Sequence, residues 1–236
     1  STVSNTDGSI TSSVRANQTA GFSAVQWIGT ATAGTVGHGL GASPDLLIVK
    51  NYGESADWMV WHSAFGSAGS GEHLSINTNA AKGSPTSRAL WNNTLPTNSV
   101  FSVGSDGHVN SSGKGIVAYC FAPVEGYSAF GSYTGNGSSD GPFVFTGFRP
   151  RFILFKNAND TVNWRIIDTA RSTINVMDDY LSPNTSGVEV ASSVNQLDVL
   201  SNGFKLRGTS GGTNGSGDQI IYAAFAEHPF KTSRAR

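Results

Sequence analysis

Pro44-Asp-Leu-Leu-Ile-Val-Lys-Asn51 returns 106 residues later as Pro150-Arg-Phe-Ile-Leu-Phe-Lys-Asn157. Each block is a continuous apolar run that follows a proline and ends in Lys-Asn. Consecutive apolar positions over so short a run suit a strand covered on both faces. A proline at the mouth of such a strand loses no ladder hydrogen bond. Working outward from this pair, further blocks return in the same order. Gly21-Phe-Ser-Ala-Val25 reappears as Gly126-Tyr-Ser-Ala-Phe130 at an offset of 105, and Asp57-Trp58 as Asn163-Trp164 at 106. Val100-Phe-Ser-Val103 matches Gly203-Phe-Lys-Leu206 at 103, and Gly115 to Ala122 matches Gln219 to Ala226 at 104. The offset changes between apolar runs and not inside them, as insertions confined to loops would give. The chain therefore reads as two divergent copies of one module of roughly 105 residues.

Within each copy the blocks predict strands. Trp58 to His62 and Trp164 to Asp168 each follow a short polar loop after the Lys-Asn run, which proposes a hairpin. Ile116 to Ala122 and Ile220 to Ala226 are the longest apolar strands and belong at the centre of a sheet. The 29 glycines and the charged fraction of 13% suit many short strands joined by tight turns. The expected fold is all-β, two tandem related β-sandwich modules of jelly-roll-like form at residues 21–125 and 126–236. One sandwich built from both halves is the alternative, and a short helix is the lesser reading of Asp168 to Leu181. Residues 1–20 are polar and rich in Ser and Thr, so they read as an N-terminal connector. With Ser1 in place of an initiator Met, this suggests the C-terminal portion of a longer protein.

A net charge of −1 and an isoelectric point near 6.5 leave no basic footprint for nucleic acid or for anionic lipid. No apolar run approaches the roughly 18 residues of a membrane span. The single Cys120 lies within an apolar run, reads as a small buried hydrophobe, and excludes an intrachain disulfide.

Catalytic patterns are hard to find. None of His38, His62, His73, His108 and His228 has a partner at zinc-site spacing. The glycines of Gly37-His-Gly-Leu-Gly41 precede a strand, so they serve a turn and not a phosphate. Gly66-Ser-Ala-Gly-Ser-Gly71 lacks the elbow of a serine hydrolase and reads as loop. Asp178 and Asp179 are adjacent, and on a strand they would face opposite ways, which spoils a glycosidase pair. With Asn175 they are weak candidates for a calcium-binding turn, the one cofactor the sequence suggests. The expectation is a protein that is not an enzyme. Lys50/Lys156, Asn51/Asn157 and Asn110/Asn214 are the polar positions shared by both copies; a structural role suffices for them, with contact to a partner chain as a second role for Lys-Asn. Trp61, Trp91, Tyr52 and Tyr133 fall near loops or strand edges, where exposed rings stack on sugar faces. Trp58 and Trp164, duplicated at matched positions, read as core. The seven Asn-x-Ser/Thr triplets follow from composition.

Several longer stretches resemble a module at the C-terminal ends of long virion proteins of tailed bacteriophages, notably marine ones. They include residues 8–23, Val36 to Gly41, Val117 to Ala122, Gly131 to Ser138, Asp140 to Pro150, Leu200 to Gly208 and Tyr222 to Lys231. The resemblance covers nearly the whole chain. It implies an exposed virion component, a tail fibre or receptor-binding element, that recognises a host cell-surface glycan or protein and assembles with other virion proteins as a homo-oligomer, a trimer. A capsid decoration or fibre-building protein is the alternative, and a polysaccharide depolymerase a more distant one. The segments Ser63 to Ser99 and Thr169 to Asn202 diverge most between copies, and specific recognition is expected there.

Overall fold

The computed structural model describes residues 1–66, 71–83 and 88–228. The chain is all-β. Contacts divide it into two compact units, residues 1–76 with 83–123 and residues 77–82 with 124–236.

The first unit holds β1 (Val3–Asn5), β2 (Ser12–Asn17), β3 (Phe22–Ile28), β4 (Gly34–Gly37), β5 (Leu46–Asn51), β6 (Trp58–His62), β7 (Leu74–Ser75), β8 (Val100–Val103), α1 (Gly107–Asn110) and β9 (Gly115–Phe121). Seven strands form an antiparallel sheet in the order β1-β2-β3-β9-β5-β6-β7, and β4 pairs with β8. Val25, Trp27, Leu47, Val49, Ile116 and Ala118 of the large sheet share one core with Val36, Phe101 and Val103 of the small one.

The second unit holds β10 (Ser128–Thr134), β11 (Phe143–Phe145), β12 (Pro150–Asn157), β13 (Arg165–Asp168), β14 (Asp179–Tyr180), β15 (Val190–Ala191), β16 (Leu197–Leu200), β17 (Gly203–Leu206), α2 (Gly211–Asn214) and β18 (Gln219–Ala226). Its sheets run β10-β18-β12-β13 and β11-β17-β16, with β14 paired to β15. Ile153, Phe155, Ile220 and Tyr222 meet Val144, Leu197, Val199, Phe204 and Leu206 in its core.

The order β3-β9-β5-β6 thus matches β10-β18-β12-β13, and the apolar strands β9 and β18 lie at the centre, paired on both sides. Leu46 stands opposite Phe121 and Phe152 opposite Phe225, in agreement with the sequence offsets of those blocks. The offset of 105 for Gly21 and Gly126 is one residue off. Trp27 stands opposite Ile116, and Tyr133 opposite Ile220, so β3 and β10 correspond at 106. A one-residue slip would turn every side chain of a strand to the other face. Burial of Trp27 and packing of Tyr133 against its core therefore fix the register, and the similarity of Gly-Phe-Ser-Ala to Gly-Tyr-Ser-Ala does not.

Three other expectations change. The stretch read as a connector carries β1 and β2. β2 pairs with β3 over six residues, Ser12 to Asn17, and its Ser12 and Val14 face inward and are buried. The duplicated tryptophans are not equivalent, because Trp164 is buried whereas Trp58 stacks in the open row Phe22, Tyr119, Trp58 on the outer face of the large sheet, with neighbouring ring centroids 6.4 Å apart. Asp168 to Leu181 holds a strand end, turns and β14, and the α-helices among the described residues are the four-residue α1 and α2.

Candidate functional site

Both units fasten a strand end to their short helix with buried polar groups. Asn110 and Asn214 have no exposed surface. The Asn110 side chain donates to the carbonyls of Thr32 and Gly104, both at 2.8 Å, and accepts from the Thr30 N–H at 2.9 Å. Asn214 repeats this, donating to Ser138 at 2.8 Å and Gly208 at 2.9 Å and accepting from Asn136 N–H at 2.9 Å. Asn51 and Asn157, equally buried, donate to the Gly107 and Gly211 carbonyls at 2.8 and 2.7 Å, which ties β5 to α1 and β12 to α2. Lys156 Nζ donates to the carbonyls of Asn157 at 2.6 Å and Asp160 at 3.0 Å. Burial pulls the Lys156 ammonium down to about 8, with Asp160 opposing part of the shift. A contact to a partner chain is closed to Asn51, Asn157 and Lys156, because all three are fully buried in their own unit.

The four aromatic candidates separate. Trp91 is 3% exposed and donates its indole N–H to the Glu72 carbonyl at 3.2 Å. Trp61 is buried on β6 within the same core. Neither has a face for a sugar: Trp61 turns inward from a strand position that faces the core, and Trp91 turns inward from a loop. Tyr133 is half-buried, with its hydroxyl donating to Thr213 C=O at 2.6 Å, and burial raises its pKa well above the usual value. Tyr52 is 52% exposed. One side of its ring lies where a Cβ on Gly115 would stand, and its hydroxyl pairs with the Gln26 amide. Of the four it is the one that is largely exposed.

The proposed calcium turn does not assemble as a ligand set. Asn175 spends both ends of its amide on the Val199 backbone, at 3.0 Å each. The Asp179 carboxylate accepts from Ser172 at 2.8 Å, and the Asp178 carbonyl accepts from Ser192 N–H at 3.1 Å. Among the described residues no group of three His, Cys, Asp or Glu stands close enough to hold a metal.

A titratable cluster lies in the first unit. The Asp106 carboxylate caps α1 through His108 N–H at 2.8 Å, and it also meets the His108 ring at 2.8 Å and Arg88 at 3.5 Å. Burial pushes the Asp106 carboxyl up, but the His108 hydrogen bonds and the Arg88 charge outweigh it and hold the group low. Burial lowers the pKa of His73, whose Nδ1 lies 2.9 Å from Gly71 C=O, and likewise that of His38. A shallow cleft of about 200 Å³ beside Arg88 is lined by Gly71 and residues 88–93. The loop reading of Gly66 to Gly71 falls on residues 67–70, which lie outside the described ones. Cys120 is fully buried and its thiol is pushed up to about 12 by that burial, so it is no nucleophile.

Sequence reasoning missed Phe143 and Phe145. They are 46% and 66% exposed on one face of β11, while Val144 between them enters the core. The Phe-Val-Phe alternation in the uncharged stretch 141–148 was the available signal. Five more exposed aliphatic side chains, Ile174, Val176, Val188, Val190 and Val194, lie in the second divergent segment.

The chain belongs to the family described as a domain of unknown function, DUF7483, which matches residues 1–229. No curated protein and no solved structure matches it.

Proposed function

We propose that this chain is a surface module of a tailed-bacteriophage virion, a tail-fibre or receptor-binding element that holds a host cell-surface glycan or protein and acts as a homo-oligomer, a trimer in its virion setting. The observation that carries the reading is the placement of exposed apolar groups. Ile174, Val176, Val188, Val190 and Val194 all project from the divergent segment 169–202, whereas the shared framework keeps its polar anchors Asn110, Asn214, Asn51 and Asn157 buried. A rigid frame with a variable, partly apolar loop surface is the usual division of labour in recognition proteins. The resemblance of the motifs to virion modules supplies the biological setting. Tyr52 adds an exposed ring of the kind that stacks on sugars.

The test is an adsorption-competition assay with the purified chain against phage on host cells, paired with a glycan array. The chain should block adsorption, and Val188→Ser with Val190→Ser should weaken that block. Absence of binding to host cells and to every sugar would overturn the proposal, as would turnover of host polysaccharide by the purified chain.

A further inference from the structure

We propose that β11 is a self-association edge, through which a second copy of this chain pairs antiparallel about a two-fold axis at Val144; in the trimeric setting such a contact joins subunits of two trimers and not subunits of one. The argument starts from the same edge in the first unit. Val36 stands opposite Phe101 and Val144 opposite Phe204, so Thr35 corresponds to Phe143 and Gly37 to Phe145. In the first unit the chain covers this edge itself. The Thr35 carbonyl accepts from Ile10 N–H at 2.9 Å and the Thr35 N–H donates to Ser9 Oγ at 2.9 Å. A Cβ on Gly37 would lie 1.6 Å from Asn5 Oδ1, so that space is filled.

Among the described residues, the second unit has no segment in this place. Pro142 C=O and Thr146 N–H bond to Leu206 and Asn202 on the β17 side, each at 3.0 Å. In an antiparallel ladder the alternate residues face away, so the N–H and C=O of Phe143 and Phe145 point outward from the sheet. Outside the β17 ladder neither residue makes a main-chain hydrogen bond among the described residues. Residues 141–148 carry no charge, and uncharged flat edges are the ones that pair with other chains.

The occupant follows from register and charge. A two-fold axis at Val144 sets Phe143 opposite Phe145 of the second copy, and the reverse. Both residues then meet with outward-facing groups, which closes four hydrogen bonds and stacks four phenylalanine rings on one face. Lys205 and Asp198 share the Phe143 row, and their ion pairs with Asp140 (2.9 Å) and Arg207 (2.7 Å) place two charges of each sign beside the rings. A patch with balanced signs is self-complementary under a two-fold operation. An N-terminal segment from another copy does not fit, because Phe145 fills the space that Asn5 needs.

The test uses the full chain and does not depend on what the chain recognises. Sedimentation velocity across a concentration series should show association, and Phe145→Lys should weaken it by about 30-fold or more, as loss of a central aromatic contact does. The position is exposed, so circular dichroism should be unchanged. As a second readout, Phe143→Cys/Phe145→Cys should form a covalent dimer on oxidation, because facing Cα atoms about 5.5 Å apart lie within disulfide reach. Phe143→Cys alone should not, and buried Cys120 does not compete. A chain that stays monomeric, an assembly indifferent to Phe145→Lys, or a double-cysteine variant that fails to crosslink would each overturn the proposal.

Discussion

Residues 3–17 cover the edges of β3 and β4 in the first unit, whereas among the described residues the corresponding edges of β10 and β11 in the second unit have no such segment and present Phe143 and Phe145. The frameworks beneath are closely alike in strand order and in the asparagines that fasten α1 and α2. The difference lies in who satisfies the edge. Backbone groups at a sheet edge accept any extended chain, so a polar Ser/Thr-rich segment can do in the first unit what a second molecule is proposed to do in the second.

The strongest way to break the comparison is to remove the cover. Deleting residues 1–19 removes the buried side chains of Ile10 and Val14 and strips the β2 ladder from β3. The first unit should lose about 4–6 kcal/mol, taking about 1.5–3 kcal/mol per apolar side chain plus net hydrogen-bond terms. Urea unfolding of the truncated chain measures this, and unchanged stability would mean that these residues are a connector after all. A smaller effect sharpens the likeness of the frameworks. Asn110→Ala and Asn214→Ala should each cost about 3 kcal/mol, because each strands buried backbone groups. The two losses should agree in size, as read by the same unfolding experiment.

The smallest expected effect separates the units again. His38 and His73, both lowered in pKa by burial, belong to the first unit, and in the second the described residues include only the exposed His228. Since their folded pKa values lie below the unfolded value of 6.5, the unfolded chain binds more protons as pH falls through that value. The stability of the first unit is therefore full above pH 6.5 and declines below it. Hydrogen exchange at pH 7 and 5.5, corrected for intrinsic rates, should show protection falling in residues 1–123 more than in 124–228.

Much of this was legible in advance. The apolar runs at 46–49, 116–122, 152–155 and 220–226 announced strands because burial of consecutive apolar side chains needs covered sheet, and the repeat order placed them. The signal for β2 was present too, in Ile10, Ser12 and Val14 at every second position, but composition hid it. Trp61 and Trp91 are buried while Tyr52 is exposed, because nearness to a loop does not say whether a ring turns into the core.

The sequence by itself determined the all-β class, the internal repeat, the central strands and the inert Cys120, because each follows from side-chain chemistry and local period. Tertiary structure decided the register of β3 against β10, the recruitment of residues 3–17 into a sheet and the bare edge at β11. Those depend on main-chain hydrogen bonds between distant segments, and main-chain groups are the same at every residue except proline, so side-chain period announces a strand but not which edge it will cover.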